Sequence, residues 1–131
     1  MREGRERAGE KGKVPLQRKI GLQKDFEWMK NHGINTVRLP IGFWAVIHHP
    51  PYPYAKAALE RALQMAQLHH IDVLVDLHGA PGSQNGWDHS GHAGALNWTK
   101  PANIELTLQV IEELAALCTR YPCVAGQVPA G

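Results

Sequence analysis

Cysteine is scarce: two residues, Cys118 and Cys123, in a chain of 131. Two thiols make no disulfide framework, and their spacing is not that of a zinc site. Long hydrophobic runs are missing as well, so no membrane-spanning segment is read. The first residues lack the apolar stretch of a secretory signal. Neither charge dominates: 14 Lys and Arg face 12 Asp and Glu, for a formal net charge of +2. That balance argues against a nucleic-acid-binding surface. No GxxxxGK[ST] is present and no GxGxxG opens a helix, which excludes the usual phosphate and dinucleotide loops. Internal repeats and low-complexity segments are absent too.

What remains looks globular: 44% apolar and 20% charged residues, enough for one domain with its own core. The exception is the start, MREGRERAGEKGK, which mixes both signs and has almost no large apolar side chain. A disordered charged tail is expected over residues 1–19. Acids interrupt its bases and no aromatics interleave, which disfavours a nucleic-acid arm.

Periodicity orders the rest. Leu22, Phe26 and Met29 mark a helix from Leu22 to His32, with Gly33 as its cap. Thr36 to Leu39 reads as a strand ended by Pro40 and followed by an aromatic loop with Phe43 and Trp44. HHPPYPY, His48 to Tyr54, is an irregular connection. A second helix runs from Ala55 to His70, with Ala55, Ala58, Leu59, Ala62, Met65 and Ala66 as its buried stripe. Ile71 to Leu77 is a second strand. A long loop extends to Lys100, and Pro101 suits the first turn of a third helix. Ile104, Leu108, Ile111, Ala115 and Cys118 define that helix's inner face, which makes Cys118 a buried thiol. Cys123 to Val128 begins a further strand. Strands alternating with helices predict parallel βαβ units with right-handed crossovers.

Strand alternation then sorts side chains by face. Ile71, Val73, Val75 and Leu77 share one face; Asp72, Leu74, Asp76 and His78 share the other. Val37 and Leu39 oppose Thr36, Arg38 and Pro40 in the same way. One face is apolar and the other turns polar toward the strand ends. A doubly wound sheet is usually apolar on both faces. The inward residues of a (β/α)8 barrel fit better, because its active site lies at the carboxyl ends of the strands. Arg38, Asp76 and His78 are then either site residues or a structural ion pair beside a hydrogen-bonded histidine. The loop GAPGSQNGWDHSG, with its glycines and proline, suits a tight backbone near a ligand. Trp87 beside Asp88 and Asn85 is a common kind of sugar platform, in which the ring covers C–H groups and the polar groups take hydroxyls. The alternative is a Trp87 that plugs the loop onto the fold. His89 and His92 with His78 could hold a metal, but no thiolate or carboxylate stands at a typical spacing.

Two stretches, GINTVRLPIGFW (33 to 44) and DLHGAPGSQNGWDHSG (76 to 91), resemble glycoside hydrolase family 5, in its exo-β-1,3-glucanase-like branch. The resemblance covers roughly Leu22 to Gly126, including Asp25–Phe26. It implies a fragment of a (β/α)8 TIM barrel spanning the first helix to the fourth strand of the family, as a partial glycoside hydrolase domain over residues 20–128. It implies retaining hydrolysis of β-glucans by two glutamates about 5 Å apart, with no cofactor. It makes Arg38 the arginine that supports the nucleophile and His78 the histidine that binds the cleaved sugar. It makes Trp87 an aromatic clamp for the next sugar and Asp88 a substrate-contacting acid.

The chain departs from the family at both ends. The charged tail stands where the family's first strand is expected. CVAGQVPAG does not continue to the family's Asn-Glu-Pro, and residues 129–131 leave the pattern. Neither catalytic glutamate is expected in this stretch, and Glu105, Glu112 and Glu113 face away from a barrel mouth. The expectation is a piece of a β-glucan hydrolase, marginally stable, inactive alone and prone to aggregate through unclosed barrel edges. Relatives are often extracellular or at the cell surface. Two alternatives stay open: a non-catalytic glucan-binding fragment, and a metal-dependent hydrolase using His78, Asp88, His89 and His92.

Overall fold

The computed structural model describes residues 18–87 and 90–128. The order is α1 (Arg18–Asn31), β1 (Thr36–Gly42), a short 3-10 turn (Phe43–Ala45), α2 (Lys56–Leu68), β2 (Asp72–Gly79), α3 (Pro101–Cys118) and β3 (Val124–Val128). The strands form one parallel sheet in the order β1-β2-β3. The α/β alternation read from periodicity is therefore the fold. Residues 1–17 and 129–131 lie outside the described residues. The helix already includes Arg18 and Lys19, which the sequence reading placed in the charged tail; the rest of that tail lies outside the described residues. None of the described helices is long and apolar enough to cross a membrane.

The helix ends follow from backbone chemistry. Gly33 takes φ +77, and the Ile34 N–H closes back on the Met29 carbonyl at 3.0 Å. That is the left-handed cap a glycine allows without a Cβ penalty. The end of α2 repeats the pattern with a histidine: His70 has φ +54, and the Ile71 N–H reaches the Ala66 carbonyl at 2.9 Å. Pro101 opens α3 at its first position, where its missing N–H has no intrahelical partner to lose.

The sheet has the two faces that strand periodicity predicts. Along β1 the even positions Thr36, Arg38 and Pro40 are exposed and Val37 and Leu39 are partly covered. Along β2, Val73, Val75 and Leu77 are buried and pack, with Ile71, on Phe26 of α1, Leu59, Leu63 and Ala66 of α2, and Val110, Leu114 and Leu117 of α3. At 25 cal/mol per Å2, each such side chain contributes roughly 1.5–3 kcal/mol on burial. The three helices thus share one core on one face, and the other face stays open.

Three details depart from the sequence reading. β1 does not stop at Pro40 but continues to Gly42, with Pro40 in register with Asp76. Among the described residues it pairs with β2 alone, and a bordering strand tolerates a residue that cannot donate to the ladder. In α2, Leu63 has no exposed surface and belongs to the buried stripe, whereas Ala58 is exposed. In α3, the inner face is Thr107, Val110, Leu114, Leu117 and Cys118. Ile104 and Leu108 are 44% and 57% exposed. The helix is apolar on two faces, and periodicity alone does not choose between them. Thr107 tolerates burial because its hydroxyl donates to the Asn103 carbonyl at 2.7 Å and accepts from Trp98 Nε1 at 3.1 Å.

Candidate functional site

The open face carries the polar groups of β1 and β2. Residues 38, 76 and 78 project on that face by alternation, and the pairing of Pro40 with Asp76 sets the stagger between the strands. Asp76 sits on the central strand and is only 7% exposed. A buried carboxylate needs donors, and two side chains supply them. Arg38 Nε lies 3.0 Å from Asp76 Oδ2, and His78 Nδ1 lies 3.3 Å from the same oxygen. The Arg38 and His78 side chains are 58% and 43% exposed. The cluster is thus rooted at its carboxylate and open at its cation and imidazole. Screening by solvent limits the Arg38–Asp76 attraction to about 1 kcal/mol.

Past Gly79 the chain enters a loop held by its own side chains. The Gln84 carboxamide accepts from the Ala80 N–H at 2.9 Å and donates to the His78 carbonyl. That bridge fixes the backbone on which His78 rides. A hydroxyl relay follows: the Gly86 N–H donates to Ser83 Oγ at 2.9 Å, Ser83 Oγ lies 2.6 Å from Ser90 Oγ, and Ser90 Oγ donates to the Trp87 carbonyl at 2.6 Å. Both serines are buried. Asn97 N–H to the Gly82 carbonyl, at 2.8 Å, and Tyr52 OH to the Gly91 carbonyl, at 2.6 Å, tie the loop to its surroundings. Glycines stand where the backbone demands them, as at Gly82 and Gly86, with φ +78 and +77.

Trp44 is wedged beneath this loop. Its indole stacks on Tyr52 at 4.6 Å between ring centres, with planes 13° apart. A Cβ on Gly42 would meet the ring at 2.3 Å, one on Gly91 at 2.4 Å and one on Gly79 at 3.2 Å. Three glycines, at the ends of two strands and in the loop, therefore leave the space that this one ring fills. Sequence reading placed Trp44 in an aromatic loop but missed this role, as it missed Gln84, Ser83 and Ser90. The available signal was a glycine at each strand end.

Of the residues singled out from sequence, Arg38 and His78 meet on Asp76. Asn85 and Trp87 are adjacent through an Asx turn, in which Asn85 Oδ1 accepts the Trp87 N–H at 3.1 Å. Trp87 is 67% exposed among the described residues. Asp88 and His89 lie outside the described residues. No group of three potential metal ligands occurs among the described residues. Glu105 and Glu112 are exposed on α3, and Glu113 pairs with Lys56 at 3.2 Å, behind the sheet's open face. Cys118 and Cys123 are both buried, and burial pushes the Cys123 thiol up, which disqualifies it as a thiolate nucleophile. A cavity of about 330 Å3 lies behind the loop, against Phe43, Tyr52, Ser90, Lys100 and Asn103; the Arg38–Asp76–His78 cluster is not among its walls.

Chemically, the open face offers a guanidinium and an imidazole, and the loop after β2 carries an exposed indole; groups of these kinds suit a ligand of hydroxyls and C–H faces. Compared with models of known protein families, the chain matches none. It is 43% identical over 96 residues to a glucan 1,3-beta-glucosidase of Blumeria graminis, which covers 71% of this chain and 22% of that protein. It is 44% identical over 96 residues to a probable glucan 1,3-beta-glucosidase A of Aspergillus niger, over 71% of this chain and 23% of the relative. The chain thus spans less than a quarter of the length of these relatives. Among solved structures, a rutinosidase from Aspergillus niger superposes with a TM-score of 0.74 at 20% identity, over 83% of this chain and 33% of that one. A GH5_18 enzyme from Bifidobacterium longum subsp. infantis superposes at 0.60 and 19%, over 82% and 27%. These likenesses place the three strands and their helices within a TIM-barrel fold.

Proposed function

This chain is a partial glycoside hydrolase family 5 chain related to the glucan 1,3-beta-glucosidases, and from that kinship we propose that it forms the sugar-binding flank of a retaining β-glucan hydrolase. The observation that carries the reading is the convergence of Arg38 and His78 on one buried oxygen of Asp76, across adjacent parallel strands. Exposed Trp87 stands on the loop leaving the same strand.

In this reading Arg38 turns its remaining guanidinium donors toward the nucleophilic glutamate. His78 takes a hydroxyl of the sugar being cleaved. Trp87 covers the C–H face of the neighbouring sugar, and Asn85 and Asp88 take its hydroxyls. Neither of the two glutamates that cleave the bond is among these residues, so the isolated 131-residue chain is inactive. The whole enzyme would bring them about 5 Å apart over this face and break the glycosidic bond through a covalent glycosyl intermediate. β-Glucan catabolism is the role that follows.

Titration of the chain with a β-1,3-linked glucose oligosaccharide, followed by tryptophan fluorescence, tests the reading. A saturable change that disappears in Trp87→Ala is expected. The same saturable change in Trp87→Ala, or none in the folded wild type, contradicts it.

A further inference from the structure

We propose that Ser83 and Ser90 are positioning residues whose buried hydroxyls act as one relay, fixing the main chain from which the exposed Trp87 indole projects. Both serines are 1% exposed. Ser83 Oγ accepts the Gly86 N–H at 2.9 Å, so its own proton goes to Ser90 Oγ, 2.6 Å away. The Ser90 proton is used in turn on the Trp87 carbonyl at 2.6 Å, with the His92 carbonyl 3.2 Å from the same hydroxyl. One direction therefore satisfies every group: Gly86 to Ser83, Ser83 to Ser90, Ser90 to Trp87. Reversal would leave the buried Ser83 proton without an acceptor among the described residues, a costly state for a hydroxyl out of water.

A second observation singles out Ser83. Its φ is +65, a left-handed conformation that suits glycine and that a Cβ disfavours. Strain of this kind beside a binding surface points to a side chain that the position needs, and what serine adds there is its hydroxyl. The relay ends on the residue it positions. The Trp87 N–H is held by Asn85 Oδ1 at 3.1 Å. The Trp87 carbonyl is held by the Ser90 hydroxyl and, at 3.1 Å, by the Ser90 N–H. A platform fixed at its base has less ordering left to undergo when a ligand arrives. Only the nature of the ligand rests on the glucan-hydrolase reading; the relay stands on this geometry alone.

Fluorine NMR of the full chain labelled with 5-fluorotryptophan tests the proposal, the Trp87 signal being assigned by its loss in Trp87→Phe. Ser83→Gly suits the left-handed backbone and removes the hydroxyl. It should move or broaden the Trp87 line and leave the Trp28 line, on α1, in place. Ser90→Ala should do the same, and the double variant should show no larger change than either single one, because the two hydroxyls act as a unit. A wild-type Trp87 line in folded Ser83→Gly or Ser90→Ala overturns the proposal, and so do two changes that simply add. Where the variants do not fold, hydrogen exchange of the wild type decides. The Gly86 amide should exchange at least about tenfold more slowly than in an unstructured chain, and exchange at the unstructured rate overturns the relay. A β-1,3-linked glucose trisaccharide should shift the wild-type Trp87 line and bind Ser83→Gly roughly threefold to tenfold more weakly, the penalty of ordering one side chain on binding. A relay that passes these tests beside a Trp87 line unmoved by the sugar counts against the glucan reading and leaves the positioning role standing.

Discussion

At the scale of single residues, the proposed site separates exposed side chains from buried supports. Trp87 is exposed and its indole makes few contacts to lose, so Trp87→Ala should leave stability within about 0.5 kcal/mol. The same change should weaken glucan binding by about tenfold, the order of an aromatic contact. Parallel denaturation and binding measurements check both halves. Gly42 behaves oppositely. A methyl there would lie 2.3 Å from the Trp44 ring, so Gly42→Ala should cost roughly 1–3 kcal/mol by overpacking. It should also alter the near-ultraviolet circular dichroism of the Trp44–Tyr52 stack. The contrast shows what sequence can disclose. Arg38, Asp76 and His78 were legible because a strand's period of two is rigid and sorts faces without further information. Gln84, Ser83 and Ser90 were not, because their partners are fixed by how a loop folds back on itself, which no period encodes.

At the scale of elements, the helices carry the sharpest tests. Leu114→Ala should cost about 2–5 kcal/mol, the usual range for a buried leucine. Leu108→Ala, on the exposed flank, should change stability by no more than about 0.5 kcal/mol. Urea denaturation of the two variants distinguishes the observed face of α3 from the one that Ile104, Leu108 and Ile111 suggest. That helix was misread because leucine, isoleucine and valine occupy two adjacent stripes, and only contact with the sheet decides which turns inward. Thr107 deepened the error, since a hydroxyl is buried only when its partners, here Asn103 and Trp98, are in place. The end of α2 offers a gain. His70 holds a left-handed backbone that a Cβ disfavours, so His70→Gly should raise stability by about 1 kcal/mol, seen as a higher urea midpoint.

At the scale of the whole molecule, three parallel strands with helices on one face leave the other face and the outer sides of β1 and β3 open among the described residues. Unpaired strand edges invite association, so the isolated chain is expected to self-associate with rising concentration in sedimentation experiments. The alternation of helix and strand made the parallel sheet legible, and the contrast between its apolar and polar faces pointed to a barrel. What completes the barrel and its chemistry was not legible in these residues, since in the proposed reading the cleaving glutamates belong to other strands. In the proposed function these residues supply sugar recognition and support to a β-glucan hydrolase whose glutamates lie on other strands. The most direct test is a chimaera in which residues 22–126 replace the matching stretch of the Aspergillus niger relative. Hydrolysis of β-1,3-glucan within about tenfold of the parent is expected, with a loss of roughly 10²-fold on His78→Ala, the order expected when a substrate is mispositioned. A folded chimaera without activity, or one indifferent to His78→Ala, would contradict it.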